Sequence, residues 1–141
     1  LLLEYARSGI LGTVDEPHLI KDLLWMGSSR KDLKGFPDEV QDVIGFALYA
    51  AQQGKRAPEA KVLTGFGGAG VLEIVDDYRT DTYRAAYTVK FSDFVYVLHV
   101  FQKKSRKGNA TPKRDIELIK HRLKLAEEDY ATRQSRTERH R

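Results

Sequence analysis

The spacing of hydrophobic and polar positions changes several times along the chain, and each change predicts an element. Ile20 to Met26 is a short apolar run broken by Gly27-Ser28-Ser29, which predicts a first strand. Ser28 or Ser29 is placed to cap a helical turn through Leu33. Pro37 suits the first position of a helix, where its missing N–H costs nothing. Behind it Val40, Val43, Ile44, Ala47, Leu48 and Ala51 recur at helical spacing as one apolar stripe, with Gly54 as a left-handed cap. From Val71 the period shortens to two. Val71–Asp76, Thr82–Lys90 and Phe94–Lys103 are rich in β-branched and aromatic residues and predict three strands, with turns at Asp77–Asp81 and Ser92-Asp93. Thr111 then predicts the cap of a last helix with Pro112 as its first residue and Ile116, Ile119, Leu123, Ala126 and Tyr130 as its buried stripe. The pattern is that of an α+β domain over residues 20–130. Residues 1–19 show no period and form an N-terminal extension without an assigned role. Residues 131–141 have no apolar face and are expected to be a disordered basic tail.

Composition narrows the function classes. The 141 residues are 41% hydrophobic and 31% charged, enough for one hydrophobic core. There is no cysteine, so a disulfide framework and thiolate metal sites are excluded, and a reducing cytoplasm is the expected compartment. No apolar run approaches the roughly 20 residues that span a bilayer, and Leu1-Leu2-Leu3 is too short for the core of a signal peptide. The formal charge of +4 is unevenly spread. Residues 103–125 carry nine Lys/Arg against two acids, and residues 131–141 carry four Arg against one Glu, so the remainder is acidic. One cationic region on a mildly acidic body suits a polyanionic partner, while a solvated lysine-rich helix is the plainer reading.

Gly65, Gly67, Gly68 and Gly70 form a glycine-rich loop, but the residues after it read as a strand, and no Gly-Lys-Ser/Thr is present. A phosphate-cradling loop needs a helix opening there. A tight approach to the sheet, or a flexible loop on the substrate side, fits better.

If Ser92-Asp93 is the turn, residues of the last two strands pair when their numbers sum to 185. Arg84 then faces Phe101, with His99 and Lys103 as diagonal neighbours on the same face. Thr88 and Lys90 continue that face, and Tyr83, Ala85, Tyr87 and Val89 lie opposite with Tyr96, Leu98 and Val100. A three-residue loop would reverse the faces. Guanidinium, imidazole and ammonium gathered in this way can serve metal-independent RNA cleavage by 2′-hydroxyl attack. Arginine holds the phosphate, and lysine or histidine exchanges protons. The four histidines show no ligand spacing, so neither a metal nor another cofactor is expected. The alternative is that Arg84 and His99 are ordinary residues of a solvated sheet face. Just beyond the strand, residues 103–114 hold six basic residues and no acid, fitting a phosphate-binding edge or a charged loop.

Several separated motifs carry a resemblance. Thr82-Tyr83-Arg84-Ala85-Ala86-Tyr87, the run Tyr96 to Lys104, Thr111-Pro112, Trp25 to Ser29, Asp32-Leu33-Lys34, Phe36-Pro37 and Gly65 to Ile74 together resemble the phage-derived Gp49-like, HigB-type toxins of the RelE/ParE superfamily, from about Leu24 to Tyr130. The resemblance implies a RelE-like small antiparallel sheet with N-terminal helices packed on one face and a C-terminal helix. It implies the toxin of a type II toxin–antitoxin system, a cytoplasmic mRNA interferase that cleaves mRNA on the ribosome and is neutralised by a HigA-like helix-turn-helix antitoxin.

Carried onto this chain, Arg84 matches the strand arginine used on the scissile phosphate, and Lys104, with Lys103 beside it, the basic position ending the next strand. His99 joins them by strand parity, which sets Lys104 on the side opposite Lys103 unless the strand has already ended. Arg106, Lys107, Lys113 and Arg114 are the candidate RNA phosphate contacts. Two departures stand out: Glu73-Ile74-Val75 lacks the basic residue many relatives carry there, and the C-terminal catalytic tyrosine has no clear match, leaving Tyr78, Tyr87 and Tyr130 as candidates. An inactive prophage-derived module that only pairs with its antitoxin, or a ParE-like gyrase inhibitor, are the alternative functions.

Overall fold

The computed structural model describes residues 20–104 and 110–139. The elements are β1 (Asp22–Trp25), α1 (Ser29–Lys34), α2 (Asp38–Gln52), β2 (Ala60–Val62), β3 (Val71–Tyr78), β4 (Asp81–Thr88), β5 (Phe94–Lys103) and α3 (Lys113–Arg139). The strands form one five-stranded sheet in the order β1-β5-β4-β3-β2. Every neighbouring pair is antiparallel except β1 with β5, which run parallel. This is the expected α+β class with a mostly antiparallel sheet.

Alternation along the strands sorts the core into two layers. Leu72, Ile74, Tyr83, Ala85, Tyr87, Val95, Val97 and Val100 meet Leu33 of α1 and Val40, Ile44, Ala47, Leu48 and Ala51 of α2. The expected stripe of α2 is thus the buried one, except that Val43 stays half-exposed. On the other face Val71, Ala86, Phe91, Tyr96 and Leu98 meet Ile119 and Ala126 of α3. Among the described residues no helix is long and apolar enough to cross a membrane.

Several boundaries depart from expectation. Pro37 and Pro112 sit just outside their helices, each offering its carbonyl to the first helical N–H groups (Val40 and Gln41; Asp115 and Ile116). The turn at Asp77–Asp81 tightens to Arg79-Thr80, with Arg79 at a φ of +58°. Glycine is needed at Gly70, where φ is +64° and a Cβ would stand 3.3 Å from the backbone nitrogen of Lys90. The glycine-rich loop therefore approaches the sheet closely. The short edge strand β2 was not expected. Helix α3 also continues through Arg139, where a disordered tail was expected. Beyond Tyr130, Arg133 bonds Asp129 and lies over the Phe94 ring, and Gln134 donates to Asp93.

The register of the β4–β5 pair decides where the candidate residues point. Pairs summing to 185 hold from Thr82↔Lys103 through Ala86↔His99, including Arg84↔Phe101. A bulge between Ala86 and Tyr87 then shifts the ladder, so Tyr87 pairs with Val97 and Thr88 with Tyr96. Beyond the bulge the expected faces are exchanged: Tyr96 and Leu98 lie on the same face as Arg84, beneath α3. That face is roofed by a helix and is not the open cationic surface that charge and parity had suggested.

Candidate functional site

Arg84 lies mid-strand on β4 where the first turn of α3 and the residues before it cross the sheet. Arg84 is 2% exposed and Glu73, on the same face of β3, is 0% exposed. The Arg84 Nη1 donates to Glu73 Oε1 at 3.2 Å and to Thr111 Oγ1 at 3.2 Å. The Thr111 hydroxyl is itself 2.9 Å from Glu73 Oε2, as a donor. Thr111 therefore spends its hydroxyl on the buried pair instead of capping α3. A buried carboxylate needs such partners, since desolvation without them is costly.

One pair along β5, a second polar cluster fastens α3 to the sheet. His99 Nε2 stands 2.8 Å from Asp115 Oδ1, and Arg122 Nη1 is 3.4 Å from His99 Nδ1 while also donating to the Leu98 carbonyl at 3.0 Å. Because the Arg122 guanidinium can only donate, Nδ1 is the accepting nitrogen in this arrangement and Nε2 carries the hydrogen directed at Asp115. Both ring nitrogens are engaged within the fold, so the His99 imidazole orients its neighbours and does not face solvent as a free base. Its ring stacks on Phe101 with centroids 4.8 Å apart and 13° between planes. Burial lowers the pKa of the Arg122 guanidinium, which lies against Gly27 in the β1–α1 turn.

The other expected residues fall into three groups. Lys103 is half-buried, its Nζ donating to the Ala110 carbonyl at 3.3 Å, and Lys104 is exposed immediately after the strand ends. Parity therefore does not govern Lys104. Lys113 and Arg114 are exposed in the first turn of α3, so they and the two lysines share this end of the sheet. Arg106 and Lys107 lie outside the described residues. Tyr78 and Tyr87 are on the face opposite Arg84. Tyr78 donates to Glu39 at 3.1 Å, and Tyr87 is buried in the α2 layer, its phenol pushed up to about 12 by burial. Tyr130 packs on Phe91 near the far end of the sheet. None of the three tyrosines joins the Arg84 cluster.

Beside these clusters a groove of about 710 Å³ opens between α1 and the start of α3, lined by Lys31, Asp32, Phe36, His99, Phe101 and Arg114 among others. Sequence reasoning named Glu73 and Asp32 only within motifs of the resemblance and gave neither a role, and it did not single out Asp115 or Arg122. Glu73 did carry a signal: an acid inside the apolar run Val71-Leu72-Glu73-Ile74 requires a buried cation, and Arg84 is the strand cation on the neighbouring β4.

A family model for phage-derived protein Gp49-like (DUF891) matches residues 31–124, two thirds of the chain. The chain belongs to this family. The Gp49-like proteins are RelE/HigB-type toxins, and the matched stretch of this Gp49-like chain runs from α1 into α3 and holds both buried clusters and the lining of the groove. Searches among curated proteins and among solved structures found no match.

Proposed function

We propose that this Gp49-like protein is the toxin of a type II toxin–antitoxin pair, and that it cuts mRNA on the ribosome without a metal. The supporting observation is that Lys103 and Lys104, where β5 ends, and Lys113 and Arg114, in the first turn of α3, share one end of the sheet beside a groove walled by aromatic rings, with Arg84 buried behind Thr111. In the reaction the 2′-oxygen attacks phosphorus, the bond to the 5′-oxygen breaks, and a 2′,3′-cyclic phosphate and a 5′-hydroxyl result. Lys103 and Lys104 are the groups placed to exchange protons and to hold the phosphorane's charge. Arg84 commits its Nη1 to Glu73 and Thr111 and is 2% exposed, so a phosphate that contacts it must first displace the cover above it. His99 positions Phe101 and the start of α3. The partner is a helix-turn-helix antitoxin of HigA type, and the compartment is the cytoplasm.

A second reading, a module that binds its antitoxin without cutting RNA, is favoured by the 2% exposure of Arg84 within its ion pair. Induced expression with mapping of mRNA 5′ ends separates the two. New 5′-hydroxyl ends with rapid translation arrest support the nuclease, provided they are lost in K103A/K104A. Normal growth with intact mRNA supports the binder, and DNA damage without mRNA loss would identify a gyrase inhibitor. Arg84→Lys is the informative arginine variant, because it keeps a cation opposite Glu73 while removing the planar fork.

A further inference from the structure

We propose that the groove between α1 and α3 receives one unpaired nucleobase of the RNA, and that it favours a base carrying an exocyclic amine over uracil. The inference rests on the RNA reading above and adds a base preference to it. Strand β1 pairs with β5 only from Phe94 to Val97. Farther along, at Val100 and Gln102, one edge of the strand stays paired with β4 while the edge on the β1 side meets the groove. The groove is therefore backed by a sheet edge, with Phe101 stacked on His99 on one side of it. On the other side is Phe36, held by an edge-on contact with Tyr83 at 4.8 Å.

This is how proteins take single-stranded RNA, whose bases stack on aromatic rings and are read along their edges. A groove of about 710 Å³ falls within the range of small-molecule sites. Lys31 and Arg114 line it as the two cations available to flanking phosphates.

Asp32 supplies the selectivity. Its Oδ2 accepts from Ser28 Oγ at 2.7 Å, and a carboxylate has further acceptor capacity. An ionised carboxylate offers no hydrogen to a base, so it matches an amine such as that of cytosine. At the position of cytosine's amine uracil carries its O4 oxygen, which a carboxylate directed at that position repels. Cytidine and uridine oligomers are alike in size and charge, so their comparison isolates this contact.

The test measures binding of fluorescein-labelled pentacytidylate and pentauridylate to the full chain by anisotropy, at fixed salt, with thermal melts to confirm that each variant folds. Wild type binds the cytidine pentamer about tenfold more tightly. Asp32→Asn removes that gap, and Phe36→Leu weakens both oligomers about tenfold. Equal wild-type affinities, or a gap that survives in D32N, overturn the proposal while leaving RNA cleavage standing. Absence of binding to either oligomer, together with intact mRNA in induced cells, overturns both.

Discussion

Arg84 and Glu73 meet diagonally across neighbouring strands at 3.2 Å, with side chains only 3% and 0% exposed. Removing one partner from such a pair leaves the other charge buried without compensation, which typically costs about 3–5 kcal/mol. Glu73→Ala and Arg84→Ala are each expected to lose stability of that order in urea unfolding. The double variant Glu73→Leu/Arg84→Met is expected to lose less than either single one. A double variant as unstable as the sum of the two singles would show that the pair is not the unit of stability. Arg84→Ala is consequently a poor probe of toxicity, because lost fold and lost chemistry coincide in it.

Gly27 and Arg122 give a second test. A Cβ on Gly27 would stand 2.7 Å from the Arg122 Nη2, at a backbone φ of +55°. Gly27→Ala is therefore expected to destabilise by about 1–3 kcal/mol and to loosen α3 from the sheet. In combination with Arg122→Ala the steric part of that cost should vanish, leaving the backbone part. A double-mutant cycle in urea measures the coupling between them, and zero coupling would contradict the contact.

The tyrosines predict an alkaline limit. Burial raises the Tyr87 phenol from 10 to about 12. Burial, followed by a hydrogen bond to Asp129, raises that of Tyr96 as well. A phenol raised on folding ionises first in the unfolded chain. Its contribution is therefore complete below about pH 10 and is lost as pH rises through the folded value. Unfolding free energy should fall between about pH 10 and 12, by about 2–3 kcal/mol for Tyr87. Tyr87→Phe should flatten that slope, and urea titrations at pH 9, 10.5 and 11.5 measure it. At the acid end Asp129 acts in the opposite direction. Burial alone would raise its pKa, but hydrogen bonds from Arg133 and Tyr96 outweigh burial and hold it below the usual carboxylate value. Its contribution is present above the ordinary carboxylate range and fades as pH falls through the lowered one.

For activity, Lys103 and Lys104 are the residues expected to matter without disturbing the core, since Lys104 is exposed and Lys103 half-exposed. Loss of a general acid or base typically costs about 10²–10⁴ in rate. Lys104→Ala should lower mRNA cleavage on purified ribosomes by about that factor with an unchanged melting temperature. Full activity in the Lys103→Ala/Lys104→Ala protein would remove both from the mechanism.

The order and type of the main elements were legible because period changes are strong where an element is half-buried. The long helix behind Pro37 and the three strands after Val71 show this best. The bulge was not legible: Leu98 is as apolar as either face demands, so nothing in its side chain marks where the ladder slips. The exchange of Tyr96 and Leu98 to the other face follows from that one residue. Strand β2, three residues long with an exposed Lys61 at its centre, carries too little alternation to be seen. Parity correctly placed Arg84, His99 and Phe101 together. It could not say that α3 lies over them, since charge counts ignore where a later helix docks. The small side chain of Ala86, fully buried between Arg84 and Thr88, was the available hint that a helix comes close there.

The parallel pairing of β1 with β5 also has a consequence for the order of folding. Leu23 and Val95 are partners about 70 residues apart in the chain, whereas the β3–β4 and β4–β5 pairs join adjacent segments. Local hairpins close at small entropic cost and long-range pairs at greater cost. During synthesis the β1 segment emerges before β5 and must wait unpaired for it, and the groove lacks a wall until Arg114 and Leu118 of α3 have followed. The groove is therefore completed only after β5 and the first turns of α3 have both been made, so its two walls are joined last by segments that are far apart in the chain.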